Sequence, residues 1–295
     1  MLSVCIPVYN LKVADLVEKL DVLLKKAGIE YEILVVDDAS DQYFKDKNEK
    51  VAGLIGVRFI SLERNIGRSA IRNYLSKTAR FENLLFLDCD SIIEGDDFIH
   101  HYLPYFNKEV VVYGGTKYQQ IKPERKYRLH WNYGRRREIK PVAIRNQFPF
   151  HYFKTNNFLI HRSVLAKYPF NELLKGYGHE DTLMGVQLSQ NNIPVFHIDN
   201  PVLHAGLETN SQFIEKTEES IKNLLFIKEN FSGPDLTNHF KLLKIFYKVE
   251  NLRIAGPIKF SFWLLRPFLL FLIIRFFWMK VFDFYKLGYL CKVYK

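Results

Sequence analysis

From Leu2 to Gly114 the apolar positions alternate between short unbroken runs and helical spacings. Ser3–Val8 is a continuous apolar run of strand length, and Leu16, Leu20, Leu23 and Leu24 then recur at intervals of three and four over Lys12–Lys26, so a strand followed by a helix is expected. The same alternation continues with strands at Tyr31–Asp37, Val57–Leu62, Asn83–Asp88 and Val110–Gly114 and helices at Gly67–Ala79 and Asp96–Phe106. Beyond these, Phe158–His161 and Val195–Ile198 are expected as strands and Asp181–Gln190 and Gln212–Asn230 as helices. Strands that alternate with helices predict an α/β fold with a mostly parallel central sheet flanked by helices, joined by right-handed crossovers.

The pattern breaks after Gly115. Residues 117–145 carry ten Lys or Arg against Glu124 and Glu138, a stretch suited to a functional loop over an anionic acceptor or to a solvated surface. Phe260–Phe282 is dense in Phe, Leu, Ile and Trp, but Arg266, Pro267, Arg275 and Lys280 interrupt it short of the roughly 18 uncharged residues of a spanning helix. Read as one helix beyond Pro267, it sets Arg275, Lys280, Asp283 and Lys286 against Phe277, Trp278, Val281, Phe284 and Tyr285. That is the pattern of an amphipathic helix lying in a membrane interface, or of one packed on the protein. The expected organisation is therefore an α/β domain over 1–230 and a helical, membrane-associating appendage over 231–295.

The chain has 295 residues, 48% of them hydrophobic, which is ample for one large core and an appendage. A net charge of +10 and a pI near 9.3 point to an anionic partner, whether nucleotide, acidic lipid surface or nucleic acid. No RNP, helix-turn-helix or zinc-finger pattern is present, which argues against nucleic acid. Cys5, Cys89 and Cys291 are odd in number and widely spaced, as expected of reduced thiols in a cytoplasm. With the first strand at Leu2 or Ser3, no signal peptide is expected.

The candidate chemistry lies at the strand ends. Asp37 and Asp38 close one apolar run and Asp88-Cys89-Asp90 closes another. In an open α/β sheet ligands bind beyond the carboxyl ends of strands, so the two acidic ends would meet at one crevice. Asp-x-Asp suits a hard divalent cation shared with a diphosphate. Either pair alone would also suit a solvated turn or a helix cap.

Ile6-Pro-Val-Tyr-Asn10, Val35-Val-Asp-Asp-Ala-Ser40, the segment Arg64–Asn73 and Phe86-Leu-Asp-Cys-Asp90 stand in the order and spacing of family 2 glycosyltransferases with the GT-A fold, a resemblance that covers about Ser3–Ala205. The resemblance implies a nucleotide-sugar donor, usually a uridine diphosphate (UDP) sugar, and a Mn2+ or Mg2+ ion. It implies that Pro7 to Tyr9 line the base, that Asp38 contacts it, and that Arg68 sits beside the nucleotide. Asp88 would lie near the ribose and the metal, with Asp90 as metal ligand and His204 as a further one. Arg68 and Arg72 could equally be exposed helix charges. Thr155-Asn-Asn157 is a weaker candidate for hydrogen bonds to sugar hydroxyls, and His179 and His197 carry no assigned role.

Gly176-Tyr-Gly-His-Glu-Asp181 resembles the Gly-Glu-Asp segment of β-galactosyl- and N-acetylgalactosaminyltransferases. That likeness implies that Glu180 holds the acceptor and Asp181 deprotonates its hydroxyl; the residues alone would also suit a capped helix start. The Gln-x-x-Arg-Trp motif and the multi-span channel of processive members are missing, so addition of a single sugar to a glycan or lipid-linked saccharide in cell-surface polysaccharide synthesis is expected. The expected location is the cytoplasmic face of the membrane. A non-catalytic nucleotide- or glycan-binding module and a basic nucleic-acid-binding protein are the competing classes.

Overall fold

A computed structural model describes residues 1–231 and 239–294; of the appendage expected from residue 231, residues 232–238 and 295 lie outside the described residues. The chain forms two compact units. The first comprises 1–119, 139–173 and 183–206, and the second comprises 120–138, 174–182 and 207–295.

The first unit is built on β1 (Leu2–Val8), α1 (Ala14–Ala27), β2 (Tyr31–Asp37), α2 (Gln42–Asn48), β3 (Val57–Ser61), α3 (Arg68–Thr78), β4 (Asn83–Leu87), β5 (Ser91–Ile92), β6 (Val111–Tyr113) and β7 (Thr116–Lys117). It continues through α5 (Val142–Gln147), after a short helix α4 (Arg128–Tyr133) of the second unit, and then β8 (Asn157–His161), α6 (Arg162–Lys167), α7 (Glu180–Gln190), β9 (Val195–His197) and β10 (Val202–His204). Seven strands form the central sheet in the order β3-β2-β1-β4-β8-β6-β9. β3, β2, β1 and β4 run parallel, β8 is antiparallel to both β4 and β6, and β9 is parallel to β6. The expected mostly parallel sheet is thus present.

Both faces of the sheet are covered, which is why its parallel strands are apolar throughout rather than alternating. Val4, Ile6, Ile33, Val35, Leu85 and Leu87 pack with α1 on one face. Cys5, Leu34, Val36, Leu84 and Phe86 pack with Ile71 and Leu75 of α3 on the other. The register Val8↔Asp37 and Cys5↔Phe86 brings the ends of β1, β2 and β4 to one edge. Pro7 lies beyond the last β1–β4 pair, so its missing N–H coincides with the parting of those strands.

Two local expectations differ from the structure. Asp96–Phe106 is a series of turns ending in a short 3₁₀ segment at Leu103–Tyr105. An α-helix would direct the Phe98 carbonyl to the Tyr102 amide, but Asn200 Nδ2 donates to that carbonyl at 2.9 Å and Tyr102 N–H turns to Ile99 O at 3.0 Å. Pro104 then prevents a longer helix from forming. Conversely, α2 forms where the sequence carries little apolar periodicity, with only Asn48 buried.

The second unit is helical, with α4, α8 (Asn210–Asn230) and the helices Lys241–Asn251, Ala255–Phe276 and Met279–Val293. α8 opens with a capping box in which Thr209 and Gln212 satisfy each other's backbone amides. Leu129, Phe213, Ile221, Phe246, Phe262 and Tyr285 are among its core residues. The basic stretch 117–145 is not a single exposed loop: 120–138 belongs to this unit, and Arg145 is buried in the first.

The single amphipathic helix expected beyond Pro267 is two helices. Phe277 adopts a left-handed conformation (φ 54°) that ends the first helix, and a second starts at Met279. The charge pattern read across Arg275–Lys286 therefore spans a break. The second helix buries Phe282, Tyr285 and Tyr289 instead. The helix Ala255–Phe276, with 22 residues, is by length and composition alone long and apolar enough to cross a membrane, even though it contains Arg266 and Arg275.

Candidate active site

Asp38 follows β2 and is buried, with Oδ1 accepting from Ile66 N at 2.7 Å and Oδ2 from Gly67 N at 3.0 Å. It therefore fixes the segment that leads into α3. Burial pushes its carboxyl above the usual value, the two amides act against this, and neighbouring Asp37 adds to it. Asp37 accepts from Ser40 N at 2.8 Å, closing the turn after β2. Pro7 is half-buried and Tyr9 is exposed at the end of β1.

Arg68 and Arg72 sit one turn apart on α3, yet they differ sharply. Arg68 is exposed at the first helical position, whereas Arg72 is 2% exposed. Arg72 Nη2 donates to Asp88 Oδ1 at 2.8 Å and Nη1 to Arg68 O at 3.1 Å, and the guanidinium lies 5.8 Å from the centre of the Phe170 ring. The reading of Arg72 as an exposed helix charge is thus overturned: it is a buried cation that orients Asp88 through a charge-assisted bond. Asp88 N also donates to Asn156 O at 3.0 Å.

Asp90 and His204 meet through a second, three-stranded sheet in the order β5-β10-β7. Antiparallel pairing of His204 with Ser91 sets the imidazole beside the residue before Ser91, and His204 Nδ1 lies 3.2 Å from Asp90 Oδ2. Tyr118 packs edge-on against the imidazole, with ring centres 5.3 Å apart. Ala205 N donates to Asp90 O at 3.0 Å, which draws the following backbone against the carboxylate. A Cβ at Gly206 would fall 2.2 Å from Asp90 Oδ2, so only glycine leaves this carboxylate its place. Burial works to raise the Asp90 carboxyl, but the hydrogen bond and charge of His204, with the charge of Arg68, outweigh it and hold the group below its usual range.

Asp90 and His204 stand in direct contact and are an oxygen and a nitrogen donor of the kinds manganese accepts. Of Asp88, the third acid expected near the metal, Oδ1 accepts from Arg72. Among the described residues no cluster of three or more His, Cys, Asp and Glu is arranged to hold a metal. The residues fit a cation carried by two protein ligands and completed by phosphate oxygens, as is usual for cations that enter with a nucleotide.

In the Thr155–Asn157 segment, Asn157 is committed to the fold. Asn157 is fully buried, donates to Gly115 O at 3.0 Å and Asn200 O at 2.9 Å, and accepts from Tyr102 Oη at 2.6 Å, so its amide holds the sheet together. Asn156 Nδ2 donates to Thr116 Oγ1 at 2.6 Å. His197 is likewise structural. Its Nδ1 lies 3.3 Å from Arg145 Nη1 and its Nε2 2.8 Å from Pro149 O, and burial pushes its pKa down to about 4.

Glu180 and Asp181, the first residues of α7, belong to the second unit, whereas 183–190 of that helix belong to the first. Gly176, Gly178 and His179 all have positive φ (72°, 95° and 74°), which gives the preceding segment a conformation that suits glycine. A Cβ at Gly176 would meet Glu219 at 1.9 Å and one at Gly178 would meet Ser220 at 2.7 Å, while Asn223 Nδ2 holds the Tyr177 and Gly178 carbonyls at 3.2 Å each. α8 thus clamps the segment that presents the two acids. Glu180 is buried. Asp181 is half-buried, and its Oδ1 accepts from Thr182 N at 2.6 Å and Thr182 Oγ1 at 3.1 Å.

A mostly parallel sheet with acidic residues at its strand ends, beside a small second sheet that sets His204 against Asp90, is a fold of the GT-A type. The family model for glycosyl transferase family 2 matches residues 3–171, and the chain belongs to that family. No curated protein matches the chain in sequence. Among solved structures it is similar to the mannosyltransferase PcManGT from Pyrobaculum calidifontis in complex with GDP-Man and Mn2+, with a TM-score of 0.55 and 16% identity over 80% of this chain and 66% of that one. It is also similar to glucosyl-3-phosphoglycerate synthase from Mycobacterium tuberculosis in complex with Mn2+, UDP and glucosyl-3-phosphoglycerate, with a TM-score of 0.53 and 13% identity over 77% of this chain and 79% of that one. At these identities the likeness carries the fold.

Proposed function

We propose that the protein transfers one sugar, with inversion, from a UDP-sugar to a hydroxyl of a glycan or lipid-linked saccharide in cell-surface polysaccharide synthesis, at the cytoplasmic face of a membrane. The observation that carries this reading is the Asp90–His204 pair, brought together beyond β4 by the pairing of β10 with β5. Mn2+ or Mg2+ would be held by Asp90 and His204 and would offset the charge that builds on the departing diphosphate. Pro7 and Tyr9 line the base, and Asp38 orders the loop beneath it and accepts from it. Asp88, set by Arg72, accepts from the ribose hydroxyls, and Arg68 faces the diphosphate.

In the transfer, the acceptor oxygen attacks the anomeric carbon from the face opposite the diphosphate. The bond from that carbon to the diphosphate oxygen breaks, its electron pair leaves with the nucleotide, and the hydroxyl proton passes to Asp181. Glu180 holds the acceptor sugar. Neither step needs a covalent enzyme intermediate, in keeping with a single base.

A panel of nucleotide sugars assayed for nucleotide release, with manganese and with chelator, tests the reading. Hydrolysis or transfer of one UDP-sugar that stops on chelation is expected; nucleic-acid binding without any nucleotide release would replace it. Gly206→Ala gives a sharper test of the cation site. Because the added methyl would overlap the Asp90 carboxylate, manganese-dependent UDP binding should weaken about tenfold or more, for an overpacking cost of ~1–3 kcal/mol. Calorimetric titration of UDP with and without manganese reads this, and an unchanged titration would remove Gly206 and its neighbours from the site.

A further inference from the structure

The helix Ala255–Phe276 has two unlike faces. Phe262, Leu269 and Ile273 are buried in the helical unit, and on the same side Arg266 Nη2 donates to Glu218 of α8 at 3.0 Å. On the opposite side Phe260, Trp263, Leu264, Phe268, Phe271 and Ile274 recur at helical intervals and are exposed, Trp263 to 68% and Phe268 and Phe271 to 56% each. A face of large apolar side chains of this extent marks an interaction surface.

The face runs into a basic groove. Phe276 stacks on Trp278 at 5.1 Å between ring centres, and Trp278 lines a groove of about 510 Å³ together with Arg136, Arg137, Met279, Lys280 and Val281. Three cations, Arg136, Arg137 and Lys280, line it, and Asp283 pairs with Arg137 and with Lys286. Arg125 ties the basic segment to the same place by donating to the carbonyl of Arg275 at 2.8 Å.

We propose that this surface docks on an acidic bilayer, the apolar face settling into the headgroup and acyl boundary while the groove of Arg136, Arg137, Trp278 and Lys280 takes the phosphate of an anionic phospholipid headgroup. This deepens the membrane location proposed above and rests on it. A lipid surface fits where the other occupants do not. A spanning helix would have to carry the Arg266–Glu218 pair and the α8 side chain that makes it into the hydrocarbon, because Phe262, Leu269, Ile273 and Arg266 on one side of the helix are committed to the protein. A second copy of the chain would bring a further net charge of +10 to a basic surface, whereas an acidic bilayer brings the opposite sign. Indole beside basic side chains and apolar rings is the composition that the interfacial region favours.

Flotation of the full-length protein with vesicles of phosphatidylcholine alone, and with about 30% phosphatidylglycerol, tests the proposal. The protein should float with both and more strongly with the acidic ones. Arg136→Gln with Lys280→Gln should lose about thirtyfold in affinity for acidic vesicles, from about fivefold per basic side chain, and keep its binding to neutral ones. Phe268→Ser with Phe271→Ser should lose both. Equal binding of the double Gln variant and the parent to acidic vesicles would overturn the headgroup site while leaving the membrane location standing. No flotation of the parent with either vesicle, together with self-association that the double Ser variant abolishes, would overturn both in favour of an interface between copies. Quenching of the parent's tryptophans by lipids brominated near the headgroup reads the same question without a variant; quenching only by lipids brominated at the chain ends would replace docking by insertion. UDP-sugar hydrolysis by the parent, measured without vesicles, reports on the transferase reading independently of all these outcomes.

Discussion

Asp181→Asn is expected to lower turnover by roughly two to four orders of magnitude, the usual contribution of a positioned general base, while donor affinity stays within a few-fold. The amide keeps the shape of the carboxylate and can still accept from Thr182, whose amide and hydroxyl lie 2.6 and 3.1 Å from Asp181 Oδ1, so the start of α7 should be undisturbed. What it loses is the capacity to take the acceptor's proton. Of the two acids Asp181 is the more accessible, since Glu180 is buried. Steady-state kcat for transfer, set beside a calorimetric Kd for UDP, separates the roles. If turnover survives within a few-fold, Asp181 serves only to open the helix and Glu180 becomes the base to test; if UDP affinity collapses together with kcat, the substitution has acted on the fold.

The central sheet could be read from the chain because its signals are local. Runs such as Ile33–Val36 and Leu84–Leu87 are apolar without alternation, as strands covered on both faces must be, and they are followed by the acids at the strand ends. The site was legible to the extent that each residue could be recognised within its own motif. What the sequence could not convey was how a side chain would be used once distant segments met. Arg72 stands one turn after Arg68 with nothing to mark it as the buried one; the difference comes from Asp88 and Phe170, which only the folded chain brings beside it. Asn157 looked like a ligand for hydroxyls because an exposed and a buried amide have the same letter, and its three partners come from three separate segments. Gly206, two residues after His204, could have been suspected of a close approach, but the group approached is known only from the sheet that pairs β10 with β5. The turns at Asp96–Phe106 failed for the same reason, since Asn200 takes the carbonyl that a helix would have used. At the C-terminus, the break at Phe277 separates positions that a helical wheel had merged.

Asp90→Ala is expected to abolish manganese-dependent donor binding, because the cation then keeps His204 as its one protein donor in this pair and loses the anionic one. Removing such a ligand should cost several kcal/mol of transition-state stabilisation, on the order of a thousandfold in kcat/KM. The fold should not suffer in proportion. The β5–β10 pairing and the bond from Ala205 N to the residue 90 carbonyl are backbone interactions that alanine retains, so Tm should stay within a few degrees of the parent's. The sign of the metal-free result separates a cation ligand from a merely structural acid. Deleting the carboxylate beside Arg68 makes the diphosphate site more positive, so in the presence of chelator the variant should bind UDP as well as the parent or better, and only the enhancement by manganese should vanish. Calorimetry of UDP binding in the four combinations of parent or variant with manganese or chelator measures that enhancement directly. If the enhancement survives in the variant, Asp90 is not the ligand and the Asp90–His204 pair has some other purpose; if UDP binding is weaker than the parent's even under chelator, the carboxylate orders the pocket itself instead of charging it with a cation.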